Sequence, residues 1–146
     1  MILPVTRQNI HQAAVIHSES WKESHKDLCS AGFLEAHTPE RQKSYLEAEM
    51  EQGAQIYMLV DQKPVGIVSV QGCLIADLYV LPSEQNKGYG TRLLAFAVTK
   101  CQGPPSLWVL SSNQRAQKFY ERNGFCPTGA VVQHTDTLWE LEFRLV

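Results

Sequence analysis

The sequence has no run of basic residues, no Cys-x-x-Cys pair and no apolar stretch approaching the roughly 18 residues of a membrane span. Each absence excludes a class of function. With 13 Lys and Arg against 15 Asp and Glu, and a net charge of -2, there is no electrostatic footprint for wrapping DNA or RNA. The four cysteines, Cys29, Cys73, Cys101 and Cys126, are scattered and have no histidine at metal-ligand spacing. They read as free thiols, and His11, His17 and His37 likewise show no metal pattern. The first residues, Met1-Ile2-Leu3-Pro4, turn polar at Thr6-Arg7-Gln8-Asn9, without the basic and apolar regions of a secretory leader. The expectation is a soluble cytoplasmic protein with no metal, no membrane and no nucleic-acid partner.

What is present suits one compact domain over residues 1–146, long enough to bury roughly 68 to 70% of its unfolded surface without disulfides. Ile2 to Val5 predicts a short strand. Thr6 can cap a helix carrying Ile10, Ala13, Ala14, Ile16 and His17 toward Trp21, and Thr38-Pro39 opens a second helix to about Glu51. An irregular connection through Gly32 lies between them. Two strand-like runs, Gln55 to Val60 and Val65 to Val70, flank a loop of about four residues, and a third covers Leu74 to Leu81. Thr91 to Lys100 and Asn113 to Arg122 read as helices around a short strand at Leu107 to Leu110. Strands at Thr128 to His134 and Leu138 to Leu145 end the chain. This order predicts a mixed sheet flanked by helices.

The stretch from Leu78 to Thr91 carries the clearest chemistry, because it runs from a strand through a glycine-bearing loop into a helix. Gly88 and Gly90 permit close backbone approach, and the free N–H groups of the helix's first turn present the positive end of the macrodipole. A pyrophosphate is the natural guest, with Lys87 and Arg92 adding positive charge at the mouth; the alternative is a plain strand-to-helix turn. Gly88-Tyr89-Gly90 lacks the third glycine of a dinucleotide fingerprint and the Gly-Lys-Ser/Thr of a nucleotide loop.

Gln85-Asn86-Lys87-Gly88-Tyr89-Gly90 resembles the Gln/Arg-x-x-Gly-x-Gly/Ala signature of the GNAT superfamily of acyl-CoA-dependent N-acetyltransferases. A second match follows in order: Asn113, Ala116, Phe119-Tyr120 and Gly124-Phe125. The resemblance is specific over Ala76 to Phe125 and looser elsewhere. It implies a single-domain α/β fold with a mostly antiparallel sheet, splayed between strands four and five and flanked by about four helices. The cosubstrate it implies is acetyl-CoA.

The same resemblance assigns roles. Backbone N–H groups from Asn86, Lys87, Gly88, Tyr89, Gly90 and Thr91 would cradle the pyrophosphate, with Gln85 bracing the loop. Leu78, Tyr79 and Val80 would bond the pantetheine as an added strand, and an N–H of Tyr79 or Val80 would face the thioester carbonyl. Asn113, with Ala116 in its motif, would contact the pantetheine beyond the fifth strand. Tyr120 aligns with the general acid toward the departing thiolate; a phenol near pKa 10 can share a proton with a thiol near about 8.5. The bland reading of Phe119-Tyr120 is packing.

Asp77 is the best-placed carboxylate for the base, on the same strand face as Tyr79, and otherwise a solubilising aspartate. Glu19 and His134 are weaker candidates. Ser20-Trp21-x-x-x-His25 resembles an acceptor-side stretch of many bacterial-type members, with His25 in place of tyrosine. Trp21 and His25 are therefore the substrate candidates, the alternative for Trp21 being core. No cysteine occupies a nucleophile's position in these motifs.

Three functional classes remain. The first is direct acetyl transfer to a primary amine, small-molecule or peptide, in a ternary complex. The second is a non-catalytic acyl-CoA-binding module. The third is a protein Nα- or lysine acetyltransferase. Apolar content at Leu138 to Leu145, taken as an exposed edge, also suggests a homodimer.

Overall fold

The computed structural model describes residues 1–146. Strands β1 (Ile2–Pro4), β2 (Gln55–Asp61), β3 (Lys63–Gln71), β4 (Leu74–Val80), β5 (Ser106–Leu110), β6 (Phe125–Gln133) and β7 (Trp139–Leu145) form one sheet in the order β1-β2-β3-β4-β5-β7-β6. Only β4 and β5 are parallel; the other neighbours run antiparallel. The helices are α1 (Ile10–His25), α2 (Ala31–Glu35), α3 (Pro39–Glu51), α4 (Tyr89–Lys100) and α5 (Gln114–Arg122).

The expected α/β sheet is present with five helices rather than about four. The extra one is α2, where an irregular connection was expected: Ser30 Oγ accepts from the Phe33 N–H at 3.2 Å and caps its first turn.

β3 is buried along most of its length because helices cover both faces of the sheet. On one face Val65, Val68 and Val70 meet Leu93, Leu94 and Ala97 of α4, with Phe125 and Phe143. On the other, Ile56, Met58 and Ile67 meet Ile10, Ala13, Ala14 and Ile16 of α1 and Leu46 of α3. Each such large apolar side chain contributes about 1.5–3 kcal/mol when fully buried. Gly66 lets α4 lie close, since a Cβ there would stand 2.7 Å from Leu93 Cδ1 and 3.0 Å from the Tyr79 carbonyl oxygen.

Several boundaries differ from expectation. α1 begins at Ile10, not after Thr6, because Asn9 Oδ1 takes the Thr6 N–H at 2.8 Å and closes a turn before the helix; it then runs past Trp21 to His25. The β2–β3 connection is tighter than four residues: Asp61 pairs with Lys63 across Gln62, whose φ is +65°, and a register shift at Leu59/Val60 accommodates it. α4 starts at Tyr89, two residues before Thr91, and β6 starts at Phe125 rather than Thr128. Thr38 does cap α3, accepting from the Arg41 N–H at 3.2 Å.

One correction concerns the sheet's margin. β7 is not an edge, since it lies between β5 and β6; the free edge on that side is β6. The largest departure from continuous pairing sits in the middle of the sheet. β4 and β5 share only the register pair Leu74↔Ser106 and then diverge.

Candidate active site

The divergence opens a cleft of about 1410 Å³, with β4 and α1 on one wall and β5 and α5 on the other. Strand alternation determines which atoms β4 turns into it. The Leu81 N–H bonds to the Val65 carbonyl at 2.8 Å, so Leu81, and by alternation Tyr79, direct their backbone polar groups at β3. Leu78 and Val80 therefore turn theirs toward the gap. The Val80 carbonyl confirms this orientation by accepting instead from Ser20 Oγ and Gln85 Nε2, both at 3.2 Å. Of the two residues expected to offer an N–H to a thioester, the register favours Val80.

At one end of the cleft the chain leaves β4, makes a short 3-10 turn at Pro82–Glu84 and enters α4. Asn86 (φ +65°) and Gly88 (φ +85°) both take left-handed conformations. These turn successive N–H groups to one side, and none from Asn86 to Thr91 finds an acceptor within the chain. Gln85 braces the loop through its bond to Val80, and the Tyr89 hydroxyl ties it to Asp61 Oδ2.

The expected charges at the mouth are arranged differently. Lys87 is held by Glu84 at 2.7 Å, as is Lys63 at 2.8 Å, and these two ammonium groups pull the Glu84 carboxyl down to about 2. The Lys87 side chain does not line the cleft, although Glu84 does. Arg115 and Arg122 of α5 line it instead, and Arg115 reaches Asn86 Oδ1 at 3.0 Å.

Asn113 closes the opposite corner. Its Oδ1 caps α5 by accepting from the Ala116 N–H at 3.0 Å, which leaves Nδ2 free at the cleft wall beside Ala116. Gln117 Nε2 bonds the carbonyls of Leu110 and Ser111 and fastens α5 to the end of β5. Tyr120, three residues beyond, packs edge-on against Phe119 and Phe125 while lining the cleft. Burial first, and the Asp77 charge second, push its phenol well above the ordinary value, so it stays protonated at any working pH.

Across the gap, Asp77 is not the exposed aspartate of the bland reading. Its side chain is 9% exposed and its Oδ1 stands 3.7 Å from His17 Nε2. Gln42 Nε2 donates to His17 Nδ1 at 2.7 Å, so a neutral His17 keeps its proton on Nε2, facing Asp77. Glu49 of α3 lies within hydrogen-bonding reach of Asp77, and Tyr45 donates to its Oε2 at 3.3 Å. Asp77 Oδ2 and Glu49 Oε1 are both buried without a donor. One proton shared between the carboxyl groups satisfies both. Burial, reinforced by the Asp77 charge, raises Glu49 to about 8.

Trp21 and His25 both line the cleft. Trp21 is sandwiched between the rings of His25, at 4.0 Å, and His37, at 3.5 Å, each 11° from parallel. Burial keeps His25 below its ordinary value, while the carbonyl of Trp21 meets its Nδ1 at 2.9 Å. Beyond Trp21 a side cavity of about 300 Å³ extends between α1, α3 and β4, sharing Trp21, Tyr45, Asp77 and Tyr79 with the main cleft. No group of three or more His, Cys, Asp or Glu is arranged to hold a metal ion.

The family model described as acetyltransferase (GNAT) domain matches residues 52–127, which spans β2 through the start of β6 and contains the cradle, Asp77 and Tyr120. The chain belongs to the GNAT acetyltransferase family. No curated protein matches it. Among solved structures, the chain resembles the PaiA N-acetyltransferase of Thermoplasma acidophilum in complex with coenzyme A, at 17% identity over 97% of this chain and 96% of that one, with a TM-score of 0.75. It is also similar to a GCN5-related N-acetyltransferase from Rhodopseudomonas palustris (19% identity, 99% and 94% covered, TM-score 0.78). The apo form of YjaB from Escherichia coli is a third (21% identity, 100% and 97% covered, TM-score 0.73). At these identities the likeness establishes the GNAT fold, and the family model establishes an acyltransferase.

Within this GNAT domain the sequence-predicted site residues converge on one cleft, except for the side chains of Lys87 and Arg92. Glu19 is exposed on α1 and stays outside the cleft, while His134 sits on the rim, paired with Glu140 at 2.6 Å. The residues that sequence reading missed are His17, Arg41, Gln42, Tyr45, Glu49 and Arg115. Only His17 left a signal, a polar residue inside the apolar stripe of α1. The α3 members left none, because their roles depend on how that helix lies on the sheet.

Proposed function

We propose that the chain moves an acetyl group from acetyl-CoA to a primary amine by direct attack within a ternary complex. The observation that carries this reading is the split sheet itself. Unsatisfied backbone donors from Asn86 to Thr91 lie at one end, the unpaired edge groups of Leu78 and the N–H of Val80 run along the middle, and Asp77 and Tyr120 face the same opening. The N–H cradle, with Arg115, suits the pyrophosphate of a coenzyme A molecule, and Leu78, Val80 and Asn113 Nδ2 suit the amides of its pantetheine arm. That molecule supplies a reactive thioester.

The chain's own groups do the rest. A free alkyl amine near pKa 10 arrives mostly protonated at pH 7, so it must lose a proton before its lone pair can attack. Asp77 receives that proton, with His17 and the protonated Glu49 orienting and steadying its carboxylate. The Val80 N–H donates to the carbonyl oxygen as negative charge develops there. Tyr120, kept protonated by its burial, gives its proton to the departing sulfur, and the raised value makes it a weaker donor than a free phenol. None of the four cysteines lines the cleft, which supports direct attack over an acyl-enzyme.

The same reading treats residues 1–146 as one domain working in the cytoplasm. It places a homodimer contact on the edge strand β6, where Val131 and Val132 are exposed beside Trp139. The decisive experiment is release of free CoA from acetyl-CoA across a panel of amines, amino acids, polyamines and short peptides. Amine-dependent release that Tyr120→Phe and Gly88→Trp both diminish is the expected result. Binding of CoA without turnover of any amine would replace this reading with an acyl-CoA-binding module.

A further inference from the structure

From the side cavity beside Asp77 we infer the acceptor class: a small amine that also carries a carboxylate, of amino-acid type. This rests on the acetyl-transfer reading and specifies its second substrate. The cavity is bipolar. Asp77 is its only carboxylate and lies buried at the floor, whereas Arg41, its only permanently charged cation, is exposed at the outer side on α3. Trp21, Tyr45 and Tyr79 line the cavity with them, together with His17, His37 and Gln42. An ammonium group suits the floor, where Asp77 and the aromatic faces attract a cation. A carboxylate suits the outer end, where the planar guanidinium can take both oxygens at once.

Two features set Arg41 apart from an ordinary surface arginine. It makes no ion pair with any carboxylate of the chain, although Glu40 is its neighbour. It also stands in the first turn of α3, where the helix dipole disfavours a cation, so helix stability does not explain its place. Its side chain shares one face of α3 with Tyr45, a turn later, and both reach the cavity. The volume of about 300 Å³ lies at the lower end for ligand pockets, which suits a single amino acid better than an aminoglycoside or a folded protein. A peptide N-terminus would bring an amide to Arg41 and leave the guanidinium without its anion.

The chemistry balances without further reactants. The ammonium gives one proton to Asp77, and the neutral nitrogen bonds to the acetyl carbon; as the carbon–sulfur bond breaks sulfur takes the Tyr120 proton, the second proton lost from nitrogen restores Tyr120 through solvent, and Asp77 releases its own to water.

The test compares free amino acids with their amides and their decarboxylated amines, using the wild-type chain, Arg41→Gln and Arg41→Lys. The wild type is expected to favour the carboxylate-bearing acceptor in kcat/KM by about 10- to 100-fold, the worth of a charge-assisted hydrogen bond. Arg41→Gln should collapse that ratio, and Arg41→Lys should restore part of it. Calorimetry supplies a readout independent of turnover. The N-acetylated amino acid should bind the wild type in the presence of CoA and bind Arg41→Gln at least about tenfold more weakly, with CoA affinity equal in both.

Equal use of the decarboxylated amine or the amide, or a ratio that survives Arg41→Gln, overturns the inference. If CoA binds and no acceptor turns over, the transfer reading itself fails. Arg41-dependent binding of the acetylated amino acid then still supports the carboxylate site, and absence of such binding removes it.

Discussion

Asp77 and Glu49 illustrate how one buried proton can be assigned from geometry. Two buried carboxyl oxygens lack a donor, and burial, reinforced by the Asp77 charge, raises Glu49, so that a single proton held on Glu49 relieves both. The folded state thus holds Glu49 up to about 8 against an ordinary 4.5. A raised folded-state value means the stabilisation is fully present below about 4.5 and is lost as pH rises through about 8. Thermal midpoints measured from pH 5 to 9 should therefore fall with rising pH. Glu49→Gln, which stays neutral, should flatten that slope; an unchanged slope would show that Glu49 is ionised in the folded chain. Tyr120→Phe keeps the ring against Phe119 and Phe125 and deletes only the proton. Single-turnover kinetics should show a loss of at least about tenfold, within the roughly 10² to 10⁴ of general acid catalysis, with CoA affinity preserved.

At the scale of elements, α5 is a short helix with no fully buried residue, and its position depends on its start. Asn113 caps it and Gln117 pins it to β5, so the register of Tyr120 is set by two amide side chains. Asn113→Ala should lower stability by about 1 kcal/mol, as cap removal does elsewhere, and should also reduce turnover because Tyr120 rides on that helix. Denaturant titration alongside kinetics checks both. The α4 entrance is a second such element. The positive φ of Gly88 makes any side chain there strained by roughly 1–2 kcal/mol, so Gly88→Ala should weaken CoA binding even though no atom stands in the way of its Cβ.

The whole molecule is a sheet in two parts, β1 to β4 and β5 to β6, joined by one register pair and a shared core. A ligand lying in the split should rigidify the backbone edges that the fold leaves unpaired. Hydrogen exchange should be fast at Leu78, Val80 and Asn86 to Thr91 in the free chain and slow in the presence of CoA; protection of Tyr79 should change little, because β3 already holds it. Protection of Tyr79 in place of Val80 would contradict the assigned strand register. Sedimentation at micromolar concentration addresses the β6 edge, where a monomer would remove the proposed dimer contact.

Sequence alone determined whatever depends on neighbours along the chain. The strand, the loop from Gln85 to Gly90 and the first turn of α4 are contiguous, so glycine chemistry and helix-end donors made the cradle legible. The Asn113 to Phe125 motif was legible for the same reason, and with it Tyr120. Tertiary structure decided what depends on elements meeting across the sheet. His17, Arg41, Glu49 and Asp77 come from α1, α3 and β4, and no periodicity relates residues so far apart. Whether Asp77 was a surface charge or a buried carboxyl group turned on α1 and α3 covering that face of β4. Desolvation and charge proximity exist only once the helices have packed, so the buried cluster around Asp77 and the side cavity beside it belong to the folded molecule.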